Sequence, residues 1–308
     1  MKVPAGRGLS RAMTRHASVG RGFSRAIGLL VGSLVLGASG PTAAQGPSVD
    51  LETLLARAGA QLEEHYQRAQ RIVSTEKVWV RSFHRNMRSN GSPRHMEFEH
   101  RVEWDALDEG EAPTVTVFRE LLLVDRRTPT ADDLDACLTP VSVDDDPLAV
   151  LLPGRQRDSS FRLVGTDQVD GRRVARVTFE PREQGEPEIT WEDDCVSLSL
   201  PGHSAGEVWI VPETGDVVRL DEHLMGRFEF QEPPERARDI PARLTLERSD
   251  VSIRYNRVGF EDPPETLMLP EAIESSWTLT GPGFVPRYVR RQEFTDHRRF
   301  VGDGRIVR

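Results

Sequence analysis

The stretch of sequence that decides the fold is Phe161-Arg-Leu-Val-Gly-Thr-Asp-Gln-Val169, which is followed by Asp170-Gly171 and a second apolar-rich run over residues 172–179. Asp-Gly between two such runs is the strongest short-range signal for a β-hairpin, because a type I′ turn needs a positive φ at both central positions. A second hairpin is predicted from residues 208–211 and 217–220, where Gly215 suits the left-handed position of a longer loop. Connections this short predict antiparallel pairing.

Alternation of apolar and polar residues extends the sheet along the chain. Between 96 and 104 the alternation is complete, so one face of that strand is buried and the other is solvated. The apolar face carries Met96, Phe98, His100, Val102 and Trp104. Further strands are predicted at 75–83, 114–124, 244–246, 251–255, 273–279 and 288–294. The chain is therefore mainly β, with about nine to eleven strands.

An amphipathic helix precedes the strands. Its apolar residues recur at three- and four-residue spacing and form one stripe. They are Leu51, Leu54, Leu55, Ala58, Leu62, Tyr66 and Ala69. We expect this helix to span about 50–72 and to lead directly into the strand at 75. A short second helix is expected at 147–152, with Asp146 as its cap and Pro147 at its first position.

This order of elements resembles the periplasmic lipoprotein-carrier (LolA/LolB-like) superfamily, and more closely uncharacterised secreted bacterial proteins of that architecture. The resemblance rests on the helix, the hairpin over 161–181, the segment Gly206-Glu-Val-Trp-Ile-Val-Pro-Glu-Thr-Gly215 with its continuation to 220, and Leu267-Met-Leu-Pro-Glu-Ala-Ile273. It implies an antiparallel, incomplete β-barrel wrapped around one or two helices, with an apolar concavity that holds acyl chains. An acidic insert around 126–158 departs from the superfamily pattern.

The first 44 residues have the layout of a secretory signal peptide. Residues 1–26 contain six basic residues and no acidic one, an apolar run follows at 27–36, and small residues lead to a cleavage site near Ala44-Gln45. Export and a single β-rich domain over 45–308 are therefore predicted. No stretch reaches the roughly 18 apolar residues that a membrane-spanning helix needs, so an integral membrane protein is excluded.

The charge of the exported part argues against nucleic acid as a partner. Removing those six basic residues leaves 34 Lys plus Arg against 49 Asp plus Glu, a formal charge of −15. Such an acidic chain repels phosphate backbones. No phosphate-binding glycine loop or dinucleotide fingerprint occurs, and we expect no cofactor.

The two cysteines, Cys137 and Cys195, both lie in the exported part. An even pair in an oxidising compartment usually forms one disulfide, and no Cys-x-x-Cys motif favours a redox site instead. We therefore predict a bond between Cys137 and Cys195.

Three patterns are candidates for chemistry. Gly202-His-Ser-Ala-Gly206 matches the G-x-S-x-G elbow of serine hydrolases, which places the serine between a strand and a helix. Here a strand is predicted after Gly206, so we expect Ser204 in a loop or at a strand start. His95 and His100 point to opposite faces of one strand, so we expect no metal site there. Acidic runs at 132–133, 144–146 and 192–194 could bind Ca²⁺ but lack the regular calcium-loop spacing.

The function expected from these observations is that of an exported, non-enzymatic protein which holds a lipid or an acylated partner in an apolar concavity. Two alternatives stay open, namely an envelope structural or interaction protein without a small ligand, and a secreted hydrolase that uses Ser204. No ligand-binding residue can be named from the sequence.

Overall fold

The computed structural model describes residues 49–69, 71–84, 86–104, 115–135, 141–143, 147–192, 195–235, 241–261, 264–281, 287–300 and 306–307. Residues 47–308 form one compact unit, and the other unit, residues 1–46, lies outside the described ranges, as does the predicted signal peptide. Within those ranges, no helix combines the length and the apolar character needed to cross a bilayer.

The helices are α1 (Leu51–Ala69) and α2 (Ala131–Asp135), with 3₁₀ helices at Pro147–Leu151 and Gln156–Asp158. The strands are β1 (Arg71–Phe83), β2 (Arg94–Trp104), β3 (Val115–Val124), β4 (Val141–Val143), β5 (Ser159–Val169), β6 (Arg172–Pro181), β7 (Glu188–Glu192), β8 (Cys195–Ser199), β9 (Ser204–Ile210), β10 (Val217–Leu224), β11 (Phe228–Gln231), β12 (Arg243–Glu261), β13 (Pro264–Thr280), β14 (Arg287–Phe300) and β15 (Ile306–Val307).

Ten strands form one continuous antiparallel path in the order β3-β2-β1-β14-β13-β12-β10-β9-β6-β5. β11 pairs with β12 and β15 pairs with β14 beside this path. Among the described strands, β3 and β5 are the two edges of this path and do not pair with each other, so the sheet is open. The predicted fold class, an open antiparallel sheet with an N-terminal helix, is confirmed.

Both predicted hairpins are present. Asp170 and Gly171 have φ values of 49° and 76°, the two left-handed positions that a type I′ turn requires. Val169 pairs with Arg172 across this turn. Gly215 has a φ of 82° in the longer turn between β9 and β10. These turns follow from local chemistry, which is why the sequence predicted them.

Several predicted boundaries were wrong. The first helix ends at Ala69 and not at 72, because β-branched Ile72 and Val73 already pair as strand residues with β2 and β14. The short helix predicted at 147–152 is present, as a 3₁₀ helix over Pro147–Leu151. The strands predicted at 244–246, 251–255 and 273–279 belong to one long hairpin, β12–β13.

A second, smaller sheet was not predicted. It has the order β4-β8-β7, and its β4–β8 pair is parallel. Val196 and Leu198 of this sheet pack with Phe230, Leu246 and Trp277 of the large sheet. Part of the predicted acidic insert is thus ordered structure, namely α2, β4 and the two 3₁₀ helices.

One row of paired residues crosses all ten strands of the large sheet. From β3 to β5 it comprises Val124, Met96, Val78, Gln292, Ile273, Ile253, Leu220, Val208, Val177 and Leu163. Directly paired residues project from the same face of a sheet, and we call this face the inner face. The helix α1 packs on its β6–β10 end, where Leu54, Ala58 and Leu62 meet Val177, Val208 and Leu220.

Candidate functional site

A pocket of about 410 Å³ lies between α1 and the β12–β13 hairpin. One wall is a single face of α1, with side chains at three- and four-residue spacing. The opposite wall comes from β12 and β13, and the 3₁₀ helix and the β9–β10 turn complete the lining. The lining residues are Ala58, Gln61, Leu62, His65, Arg68, Leu148, Thr214, Gly215, Asp216, Val217, Tyr255, Arg257, Thr266, Leu267 and Met268.

Close contacts hold α1 in place beside the pocket. The Arg57 guanidinium donates a hydrogen bond to the carbonyl of Pro212 in the β9–β10 turn. Gln156 Nε2 donates to the carbonyl of Leu55 at 2.9 Å, which joins α1 to the 3₁₀ helices. A Cβ at Gly215 would lie 2.8 Å from the Arg57 carbonyl oxygen, so the turn approaches the helix backbone as closely as only glycine allows.

The N-terminus of α1 is capped as its sequence suggests. Asp50 Oδ2 accepts hydrogen bonds from the backbone N–H of Thr53 at 2.8 Å and from its hydroxyl at 2.6 Å. The hydroxyl and backbone hydrogen bonds of Thr53 hold the pKa of Asp50 below its usual value. This cap stabilises the first turn of the helix whose later turns line the pocket.

Charged groups meet on the pocket wall. Asp216 is only 4% exposed, and its Oδ2 accepts a 2.5 Å hydrogen bond from Arg257 Nη2. Burial, reinforced by the charge of Arg68, lowers the pKa of His65 to about 4, although Asp216 acts in the opposite direction. The His65 ring also lies edge-on to Trp104, with centroids 6.1 Å apart. His65 is therefore neutral at physiological pH.

The sequence reasoning did not identify these pocket residues, although α1 carries a readable signal. Its buried stripe runs through Leu62, Tyr66 and Ala69, and the polar residues Gln61, His65 and Arg68 lie along one border of it. Polar residues on an otherwise apolar helix face indicate a special environment. The lining residues on β12 and in the β9–β10 turn are far away in sequence, so their proximity to α1 could not be inferred.

Ser204 is placed at the first residue of β9, where it pairs with Leu224 of β10. The segment after it is a strand and not the helix that a nucleophile elbow requires. Close packing explains instead why glycine occupies both positions of the motif. A Cβ at Gly206 would lie 2.5 Å from the Phe179 ring, and one at Gly202 would lie 2.2 Å from the Glu183 carbonyl oxygen.

The histidines of β2 lie apart from each other. His95 contacts the Trp79 ring, whereas His100 contacts the Phe294 ring and lies 3.3 Å from Ser74 Oγ through Nδ1. Burial lowers the pKa of His100 to about 4, against the opposing charge of Glu76. Across the ranges that the structure covers, no group of three or more His, Cys, Asp or Glu residues could hold a metal ion.

Within the acidic runs, Asp133 forms ion pairs and hydrogen bonds that connect neighbouring segments. Its carboxylate lies 2.6 Å from Arg127 and 2.9 Å from Arg94, and it accepts a hydrogen bond from the backbone N–H of Thr130. Residues 144–146 and 193–194 lie outside the described ranges. Cys137 and the side chain of Cys195 do so as well, so the disulfide remains a prediction.

Comparison with known proteins finds similarity only among solved structures. No family model and no curated protein matches the chain. A DUF1329 family protein from Desulfovibrio piger is 8% identical, with a TM-score of 0.36, over 83% of this chain and 96% of its own. A LolA superfamily protein from Nitrosomonas europaea is 9% identical, with a TM-score of 0.29, over 83% and 96%.

A third structure, described as a putative outer membrane lipoprotein-sorting protein domain from Vibrio parahaemolyticus, is 11% identical with a TM-score of 0.35. It covers 82% of this chain and 95% of its own. The lipoprotein-carrier superfamily named from the sequence is thus represented among the structures that the chain resembles. All three TM-scores are below 0.5.

Proposed function

We propose that this chain is an exported, non-enzymatic carrier that binds a lipid or an acylated ligand in the pocket between α1 and the β12–β13 hairpin. The observation that supports this most directly is the pocket itself, about 410 Å³ in volume. Small-molecule sites typically span about 300–1,000 Å³ and combine apolar walls with a few polar groups.

The apolar part of the lining suits an acyl chain. Leu62, Val217 and Leu267 are buried and face the pocket from three different elements, and Leu148 and Met268 extend the apolar surface. Each CH₂ group moved from water into such surroundings contributes about 0.8 kcal/mol. Several methylene groups are therefore enough for measurable binding, after the cost of ordering the ligand.

The position of the pocket supports a carrier role as well. Its walls come from elements that are held together by side chains at its margin, such as Arg57 on Pro212 and Arg257 on Asp216. A ligand can therefore enter a largely preformed site. The export predicted from residues 1–44 would place such a carrier among envelope lipids.

The test is a binding experiment on the purified protein. We expect lipids to be found by mass spectrometry in an organic extract of it, and a fluorescent fatty acid to bind saturably. Thr266 is an exposed residue of the lining, so Thr266→Trp should obstruct the pocket with little effect on folding. Thr116→Trp, at an exposed position of β3, is the matched control and should bind normally.

Two results would refute the carrier proposal. One is the absence of both co-purified lipid and saturable binding. The other is binding that Thr266→Trp and Thr116→Trp leave equally intact, because the ligand would then occupy some other surface.

A further inference from the structure

Three arginines lie near the C-terminal half of α1 and the pocket, and each is paired with a carboxylate. Arg257 pairs with Asp216, as described. Arg299 contacts the Glu265 carboxylate and donates a hydrogen bond to the Arg68 carbonyl. Arg68 pairs instead with Glu64, whose carboxylate is 3.6 Å away and whose side chain is 56% exposed. Among the residues that line the pocket, Arg68 and Arg257 therefore share a single carboxylate, that of Asp216, because Glu64 and Glu265 lie outside the lining.

Arg68 also has a polar atom that the protein does not satisfy. Its Nε is buried, and no group in the described part of the chain accepts a hydrogen bond from it. A buried donor without an acceptor costs about 1–3 kcal/mol, and more when the group is charged. That atom is itself shielded, but the Arg68 side chain is 35% exposed and lines the pocket, so a bound ligand can reach the guanidinium.

We propose that the ligand is an anionic amphiphile whose carboxylate binds Arg68 while its hydrocarbon chain lies against Leu62, Leu148 and Leu267. This inference rests on the proposed function. The planar guanidinium matches a carboxylate in a two-pronged arrangement, which makes such pairs stronger than neutral hydrogen bonds. The nearby Asp216 carboxylate opposes a second anion only weakly, because Arg257 neutralises it at 2.5 Å.

His65 completes this polar end of the pocket. It lies one helical turn before Arg68, at i−3, and also lines the pocket. In its neutral form the imidazole offers one donor and one acceptor without adding charge. A cationic amphiphile would be repelled by the positive charge of Arg68, whereas a neutral alcohol could accept a hydrogen bond from it but would lack the charge-assisted pairing that a carboxylate makes. The pocket should thus discriminate by headgroup charge.

The experiment measures the affinity of the full chain for decanoate, decanol and decyltrimethylammonium by calorimetry at pH 7.5. We expect decanoate to bind about tenfold more tightly than decanol or better, as one charge-assisted pair allows. Arg68→Gln should remove this preference. Arg71→Gln is the matched control, because Arg71 lies outside the pocket lining and pairs with Glu103.

The remaining outcomes overturn either the headgroup assignment or the carrier function. Equal affinity for decanoate and decanol, or a preference that survives Arg68→Gln, would overturn the headgroup assignment and leave the proposed carrier function standing. Binding of none of the three amphiphiles would refute the carrier function itself. If Arg68→Gln fails to fold by circular dichroism, Arg68→Lys serves instead, because it keeps the charge and loses the two-pronged geometry. It should bind decanoate more weakly than the unaltered chain.

Discussion

Arg257 Nη2 and Asp216 Oδ2 lie 2.5 Å apart, although 41 residues separate them in the chain. This contact joins β12 to the β9–β10 turn. The same turn contacts α1 through Gly215 and the Arg57 carbonyl. The buried Asp216 carboxylate thus links both walls of the pocket. Its loss should lower both the stability of the protein and its affinity for a ligand.

The Arg257–Asp216 pair gives a first prediction. Arg257→Leu leaves the Asp216 carboxylate buried without its cation, and we expect a loss of about 1–3 kcal/mol in the free energy of unfolding. Urea denaturation followed by circular dichroism measures this loss. Arg254→Leu, at an exposed position of the same strand, is the control and should change stability by about 0.5 kcal/mol or less. Equal effects of the two substitutions would contradict a stabilising role for the pair.

The second prediction concerns Glu76, a fully buried carboxylate on β1. It accepts hydrogen bonds from Arg119 at 2.7 Å and Gln292 at 2.6 Å, and lies 3.5 Å from Arg290. Glu76→Gln keeps the shape but leaves two arginines facing each other, so we expect a loss of about 3 kcal/mol or more.

The control for Glu76→Gln is Glu293→Gln on β14, which removes a partly exposed partner of Arg291. Exposed pairs contribute about 0–1 kcal/mol, so its effect should be small. A loss at Glu76 no larger than at Glu293 would mean that the buried cluster contributes little to folding.

The third prediction is a pH dependence of stability set by two histidines. The pKa values of His65 and His100 are both lowered to about 4, mainly because the two rings are buried. Unfolded histidine titrates near pH 6.5, so between about pH 6.5 and 4 the unfolded chain binds protons that the folded chain does not. Stability should therefore fall as the pH drops through this window.

Urea denaturation at several pH values tests the histidine prediction. The double variant His65→Gln and His100→Gln should show a flatter profile between pH 6.5 and 4. His84→Gln serves as the control because His84 lies outside the strands and the pocket. An unchanged slope in the double variant would show that other groups set the acid sensitivity.

The fourth prediction separates backbone strain from a helix contact by comparing two glycines. Gly171 and Gly215 have φ values of 76° and 82°, so alanine is strained at both. A Cβ at Gly171 has open space around it, whereas one at Gly215 would lie 2.8 Å from the Arg57 carbonyl oxygen. Gly171→Ala should cost about 1 kcal/mol. Gly215→Ala should lower the melting temperature further and weaken ligand binding, and similar melting temperatures would rule out the close helix contact.

The fifth prediction is the disulfide between Cys137 and Cys195. Both residues belong to the part of the chain predicted to be exported, where an even pair usually oxidises. Alkylation of denatured, non-reduced protein should modify neither thiol, and alkylation after reduction should modify both. Two reactive thiols before reduction would disprove the bond.

The sequence alone determined the elements whose causes are local. The Asp170-Gly171 turn, the alternation over 96–104 and the apolar stripe of α1 each follow from chemistry within a few residues, and the structure contains all three. Antiparallel pairing followed from the short connections, whereas the openness of the sheet was implied by the family resemblance. The boundary after Ala69 could not be inferred, because the pairing of Ile72 with β2 and β14 competes there with the helical pattern.

Only the tertiary structure decided the pocket. Its polar groups come together through contacts between residues far apart in the chain, such as Arg57 with Pro212 at a separation of 155 residues. Strand order and register determine these contacts, and they depend on how ten strands share one inner face. The sequence places Arg68 at the border of the apolar face of α1, but only the packing of α1 against β12 and β13 puts this arginine on the wall of a pocket.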